Sequence, residues 1–62
     1  MKVVDRKTGQ KLDAITQSVD INFNGVYVLR YIIGIQGHNQ FHFIHAIYDN
    51  NTFNEMYKVV EE

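Results

Sequence analysis

The sequence predicts a mainly β fold: a small antiparallel meander of four to five strands that closes into a barrel or pairs as a dimeric sheet. Three observations carry this. Asn24-Gly25 stands between the alternating Val19-Asp20-Ile21-Asn22-Phe23 and the β-branched, aromatic Val26-Tyr27-Val28-Leu29. Two apolar runs, residues 26–35 and 41–49, flank the polar Gln36-Gly37-His38-Asn39-Gln40. The opening VVDRKTGQKL sets Thr8-Gly9 between Val3-Val4 and Leu12, the pattern of a further hairpin.

Taken in chain order, the first hairpin turns at Thr8-Gly9, where glycine supplies positive φ. Leu12, Ile15 and Val19 are then spaced like a helix face, whereas Val19, Ile21 and Phe23 alternate like a strand. The expectation is an irregular segment leading into strand from about Ser18. Asn24-Gly25 accepts positive φ at both central positions of a type I′ turn, so a two-residue hairpin is expected there. Gly37, His38 and Asn39 fit a three-residue loop with Asn39 left-handed. That loop sets Tyr31 opposite His45, Ile33 opposite Phe43 and Ile35 opposite Phe41.

At the C-terminal end Thr52-Phe53-Asn54-Glu55 is a capping box, and Phe53, Met56, Tyr57 and Val60 form a helical stripe. The β-branched Val59-Val60 and the acidic Glu61-Glu62 oppose a long helix. The reading that satisfies both is a helical turn over 52–56 followed by a strand over 57–60. Its alternative is an α+β fold with a helix from about 52 to 61 packed on the sheet. With a helical turn before a last strand, the architecture resembles the small SH3-like barrels in shape.

Both faces of such a meander are apolar. Val19, Ile21, Phe23, Val26, Val28, Ile32, Ile44 and Tyr48 fall on one; Tyr27, Leu29, Tyr31, Ile33, Ile35, Phe41, Phe43 and Ile47 fall on the other. An open sheet with one wet face would not read this way. Either the strands curl up, or the C-terminal element covers one face and a second chain the other. A homodimer is expected, with the Tyr27–Tyr31–Phe43 face or its opposite at the interface.

The 62 residues make a single small β-rich domain, 1–62. A core of this size contributes no more than about 3–5 kcal/mol. There is no cysteine, which removes disulfides and thiolate-bound zinc as staples. Apolar residues make up 45% and charged residues 21%, a globular and not a disordered balance. The start lacks the apolar stretch of a signal peptide, and the run from Val26 to Ile35, broken by Arg30, is too short to cross a bilayer. A cytoplasmic location is the expectation.

Net charge is −1, which disfavours nucleic acid, since phosphate contacts need clustered cations. The charge is unevenly spread along the chain: residues 1–11 carry +3, residues 12–62 carry −4. Lys2, Arg6, Lys7 and Lys11 are therefore the candidate anion contacts.

All three histidines fall within eight residues, at positions 38, 42 and 45. On a strand His42 and His45 point to opposite faces and His38 sits at the loop tip, so no metal site is expected and no cofactor is implied. His45, opposite Tyr31, is expected to bond its hydroxyl. His42, opposite Gly34, faces open space. Ser18, Thr8, Thr16 and Thr52 have no base at a suggestive spacing, Asp13 and Asp20 make no convincing carboxylate pair, and the glycines form no phosphate-cradling loop. The sequence therefore predicts no enzyme and no catalytic residues.

What remains is a small protein-binding module, of the kind found among bacterial and phage accessory factors that modulate a larger host protein. Tyr27, Arg30, Tyr31, His42 and Phe43 are its candidate contacts. The alternative is a nucleic-acid binder of small-barrel type, stacking bases on strand aromatics.

Overall fold

A computed structural model describes residues 1–60 as one antiparallel sheet with a short helix against it. The strands are β1 (Lys2–Asp5), β2 (Lys11–Asp20), β3 (Tyr27–Gln36), β4 (Phe41–Ile47) and β5 (Tyr57–Val60), with α1 (Asn50–Met56) before the last. Their order is β4-β3-β2-β1-β5, so the first four strands are a meander and β5 crosses to pair with β1. The sheet is open, with β4 and β5 as its edges; it does not close into a barrel.

β1 and β2 pair across the expected turn. Val3 lies opposite Leu12, and Gly9 has φ +78°. The Asp5 carboxylate accepts the Lys7 and Thr8 amides, at 2.8 and 3.3 Å, and fixes the corner.

β2 is continuous from Lys11, where an irregular segment up to Ser18 was expected. Period 2 wins because β3 pairs with it along the whole length. Val19 lies opposite Val28, Ile15 opposite Ile32 and Ala14 opposite Ile33. A two-residue turn at Asn24-Gly25 would instead set Val19 against Arg30 and Ile15 against Gly34. Matched β-branched pairs outweigh the local turn preference. The connection is consequently a six-residue loop, 21–26, and its positive-φ residues are Phe23 (+57°) and Gly25 (+81°), not Asn24.

The β3–β4 register also departs from expectation. Gln36 faces Phe41, leaving a four-residue loop closed by the Gly37 amide on the Gln40 carbonyl, and Asn39 is not left-handed. Between Ile33 and Gly34 the register shifts, with Ile44 as the extra residue of a β-bulge. Tyr31 thereby faces Ile47, and Ile33 faces His45. Phe41 and Phe43 move to the face opposite Tyr31 and Ile33. His42 and His45 share one face, because the bulge reverses the parity between them.

The C-terminal segment holds both a helix and a strand. α1 starts one turn before the expected Thr52 cap, because the Asp49 carboxylate accepts the Asn51 and Thr52 amides and the Thr52 hydroxyl at 2.7 Å. It ends at Met56, where Tyr57 takes up extended geometry and enters β5. Residue 61, included in the longer-helix alternative, lies outside the described residues.

α1 covers one face only. The buried apolar side chains are Val3, Leu12, Ala14, Tyr31, Ile33, Ile47 and Tyr57 from that face, and Phe53 from the helix. Burying the apolar side of α1 on these strands supplies the stability that seven residues of helix lack alone.

Candidate functional site

Two surfaces of the sheet remain uncovered. The first is an arm. Along β2 the bonds from the chain start reach no farther than Ala14, held by Met1, and β4 pairs with β3 no farther than Tyr31. From Ser18 through Leu29 the β2–β3 hairpin therefore projects alone. An isolated two-stranded ribbon is only marginally stable in water. This one nevertheless exposes Ile21, Phe23, Val26, Tyr27 and Leu29, with Phe23 at 94%.

Its tip is built and not merely slack. The Asp20 carboxylate accepts the Gly25 amide at 2.9 Å and the Asn22 amide at 3.2 Å. The Gly25 bond, with those of its neighbours, holds the Asp20 carboxyl below the ordinary carboxylate range. Asn24 Oδ1 accepts the Val26 amide. A bulky residue at positive φ is a genuine backbone outlier, and such strain persists only where the surroundings enforce it.

The second surface is the open side of the sheet. Register places Lys2, Val4, Lys11, Asp13, Ile15, Gln17, Val19, Val28, Arg30 and Ile32 there, with Phe41, Phe43 and Ala46 from β4 and Lys58 and Val60 from β5. None of these is fully buried. Lys2 pairs with Asp13, whose carboxylate also accepts the Gln36 amide at 2.9 Å. These contacts, Lys2 foremost, hold the Asp13 carboxyl low. Arg30 bonds Gln17 and lies 5.9 Å over the Tyr48 ring, its Nη1 3.4 Å from the tyrosine hydroxyl.

The candidate contacts read from sequence do not form one patch. Tyr27 is on the arm. Tyr31 is buried beneath Phe53, its hydroxyl donating to Asn50 Oδ1 at 2.6 Å. His42 is on the covered side, while Arg30 and Phe43 are on the open side. A Tyr27–Tyr31–Phe43 face therefore does not exist. Among the candidate anion contacts, Lys2 and Lys11 are on the open face. Arg6 turns to the helix end, its Nε donating to the Asn54 carbonyl at 2.9 Å, and Lys7 lies in the β1–β2 turn.

His45 shares a 2.8 Å hydrogen bond with the Tyr57 hydroxyl, not with Tyr31. Burial, with the Asp5 charge second, pushes the Tyr57 phenol up. The space before Gly34 is filled by the Phe41 ring and the His42 carbonyl. Among the described residues no three His, Asp or Glu side chains are grouped to hold a metal ion, and no helix is long and apolar enough to cross a membrane.

Sequence reasoning passed over Phe23, because a residue flanking a two-residue turn points to one sheet face and not outward from a tip. It also passed over Lys58, whose parity with Val60 is readable once residues 57–60 are a strand. Comparison with family models, with curated proteins and with solved structures finds no match to this chain.

Proposed function

We propose that the chain is a non-enzymatic protein-binding module, an accessory factor that docks its projecting arm on a larger protein. The observation that carries this is Phe23, almost fully exposed at positive φ on a tip organised by Asp20. From Ser18 to Leu29 the arm has no cation, and its single carboxylate is turned inward onto backbone amides. Such a surface has nothing to offer phosphates or an anionic bilayer. It suits an apolar pocket on another protein, into which a rigid aromatic anchor can insert.

Phe23→Gly tests the reading, because glycine adopts the tip conformation freely and Phe23 contributes little to the core. Crosslinking of the tagged chain in its source cell should yield a defined partner with the parent and with Lys58→Glu. Phe23→Gly should lose that partner at an unchanged melting temperature. Equal recovery by Phe23→Gly overturns the assignment to the arm.

A further inference from the structure

The chain is nearly neutral, yet its fold sorts the charge. Of six lysines and arginines, Lys2, Lys11, Arg30 and Lys58 share the open sheet face. Among the described residues Asp13 is the only carboxylate register places with them, and it is engaged by Lys2 and the Gln36 amide. The other described acidic residues lie elsewhere: Asp5 in the β1–β2 corner, Asp20 in the arm tip, Asp49 at the helix cap and Glu55 on α1. Lys58 comes from the last strand, so no window of sequence contains this cluster.

Aromatic rings occupy the other side of the same face. Phe43 is 63% exposed on β4, and Phe41 lies beside it over Gly34. Tyr48 follows the strand end, under the Arg30 guanidinium. Lys11, Val4 and Lys58 form one cross-strand line, while Phe43, Gly34, Asp13 and Lys2 form the next. Lys11 is thus two strand spacings from the rings of β4 and Lys58 four, about 10 and 19 Å. A base on the rings and an extended Lys11 can span the nearer gap, and Lys58 lies farther along the same track.

We propose that this open face binds single-stranded nucleic acid. Unpaired bases stack on Phe43 and its neighbouring rings, and phosphates follow Lys11 and Lys58. Stacking platforms beside a cationic track are the general solution for single strands, because every base has a π-face. A duplex hides those faces, and α1, the one helix among the described residues, lies on the opposite side of the sheet. An acidic peptide would use the lysines and leave the rings idle. A second copy would set like charges against one another. The site is separate from the arm and does not depend on the arm's partner.

Fluorescence anisotropy of labelled oligothymidylate and oligouridylate, titrated with the full chain at low salt, tests it. Binding should weaken with salt along a log–log slope of about −1.5 to −2, the value for two to three phosphates on a single strand. Phe43→Ala should weaken binding about tenfold, and Lys58→Glu should reduce the slope by about one. Both positions are exposed, so melting temperatures should hold. Phe23→Gly should bind as the parent does, which separates this site from the docking arm. Binding of either oligonucleotide under these conditions supports the site, and a preference between them assigns DNA or RNA. No anisotropy change at low salt overturns the proposal. So does polyglutamate binding as tightly as the oligonucleotides with Phe43→Ala without effect, which would mark a face for acidic proteins. Loss of oligonucleotide binding in Phe23→Gly would move the contact to the arm and overturn it as well.

Discussion

The rings of Tyr31 and Phe53 lie parallel, 3.9 Å between centroids and 8° between planes, and this contact ties the helix to the centre of the sheet. Tyr57 approaches the same Phe53 ring at 6.0 Å, and His45 meets Tyr57 edge-on. A single side chain thus joins β3, α1 and β5. Phe53 is 2% exposed. Phe53→Ala should cost about 3–5 kcal/mol, as much as the whole core of so small a domain supplies. Circular dichroism at 25 °C should find this variant largely unfolded; a cooperative melt near that of the parent would contradict the picture of one shared aromatic anchor.

Gly34 is required by a close approach rather than by its dihedral angles. A Cβ there would stand 2.4 Å from the His42 carbonyl oxygen and 2.6 Å from the Phe41 ring. The carbonyl belongs to the bulged edge strand and has no flexible end to swing away. Gly34→Ala should therefore destabilise by about 1–3 kcal/mol, as overpacking does. At Gly37 the nearest atom is 3.1 Å away, and Gly37→Ala should cost less. Urea melts of the two variants side by side provide the check, and equal midpoints would argue against the approach.

Most of the strands were legible in the sequence, and their register was not. The apolar strands β3 and β4, the Thr8-Gly9 corner and the break between Met56 and Tyr57 all read correctly, because each is a local preference, whereas the strand expected through Ile21 and Phe23 is loop. Register is a sum over cross-strand pairs, and it overrode the two local turn signals. Asn24-Gly25 lost to Val19–Val28 and Ile15–Ile32, and Gly37-His38-Asn39 lost to a bulge that no single residue announces. That bulge transfers Phe41 and Phe43 to the open face. Half of the aromatic–cationic surface was thus hidden by a shift of one residue.

Acid should loosen the fold where carboxylates are held ionised, the helix cap and the arm tip among these places. The Thr52 hydroxyl and amide hold the Asp49 carboxyl below its ordinary range, as the Gly25 amide does for Asp20. The folded chain therefore takes up these protons less readily than the unfolded chain. Their stabilising effect is complete above the unfolded value, about 3.9, and is lost as pH falls through the lower folded values. Asparagine also caps a helix but does not titrate. The melting temperature of Asp49→Asn should consequently fall less steeply than the parent's below about pH 4. Parallel curves would show that the cap adds nothing to the acid sensitivity.

Self-association provides the last prediction, and the charge map says where it should occur. Pairing two open faces would set Lys11, Arg30 and Lys58 of both copies against one another, at a cost that rises as water is excluded. The arm has no such penalty. Ser18–Asp20 and Tyr27–Leu29 pair with each other, but their outer edges have no neighbouring strand and lie beside exposed apolar side chains, the combination that recruits another chain. In the absence of a partner, two copies should therefore meet arm to arm, burying the same patch on each. The melting temperature should rise with protein concentration, because association is linked to folding. Sedimentation equilibrium should show the average mass climbing above 7.3 kDa at high micromolar concentration. Phe23→Gly should return it to the monomer, while Lys58→Glu should leave the association intact or strengthen it. A parent chain that stays monomeric throughout would rule out the arm as a self-pairing surface, and association weakened by Lys58→Glu alone would place the contact on the open face instead.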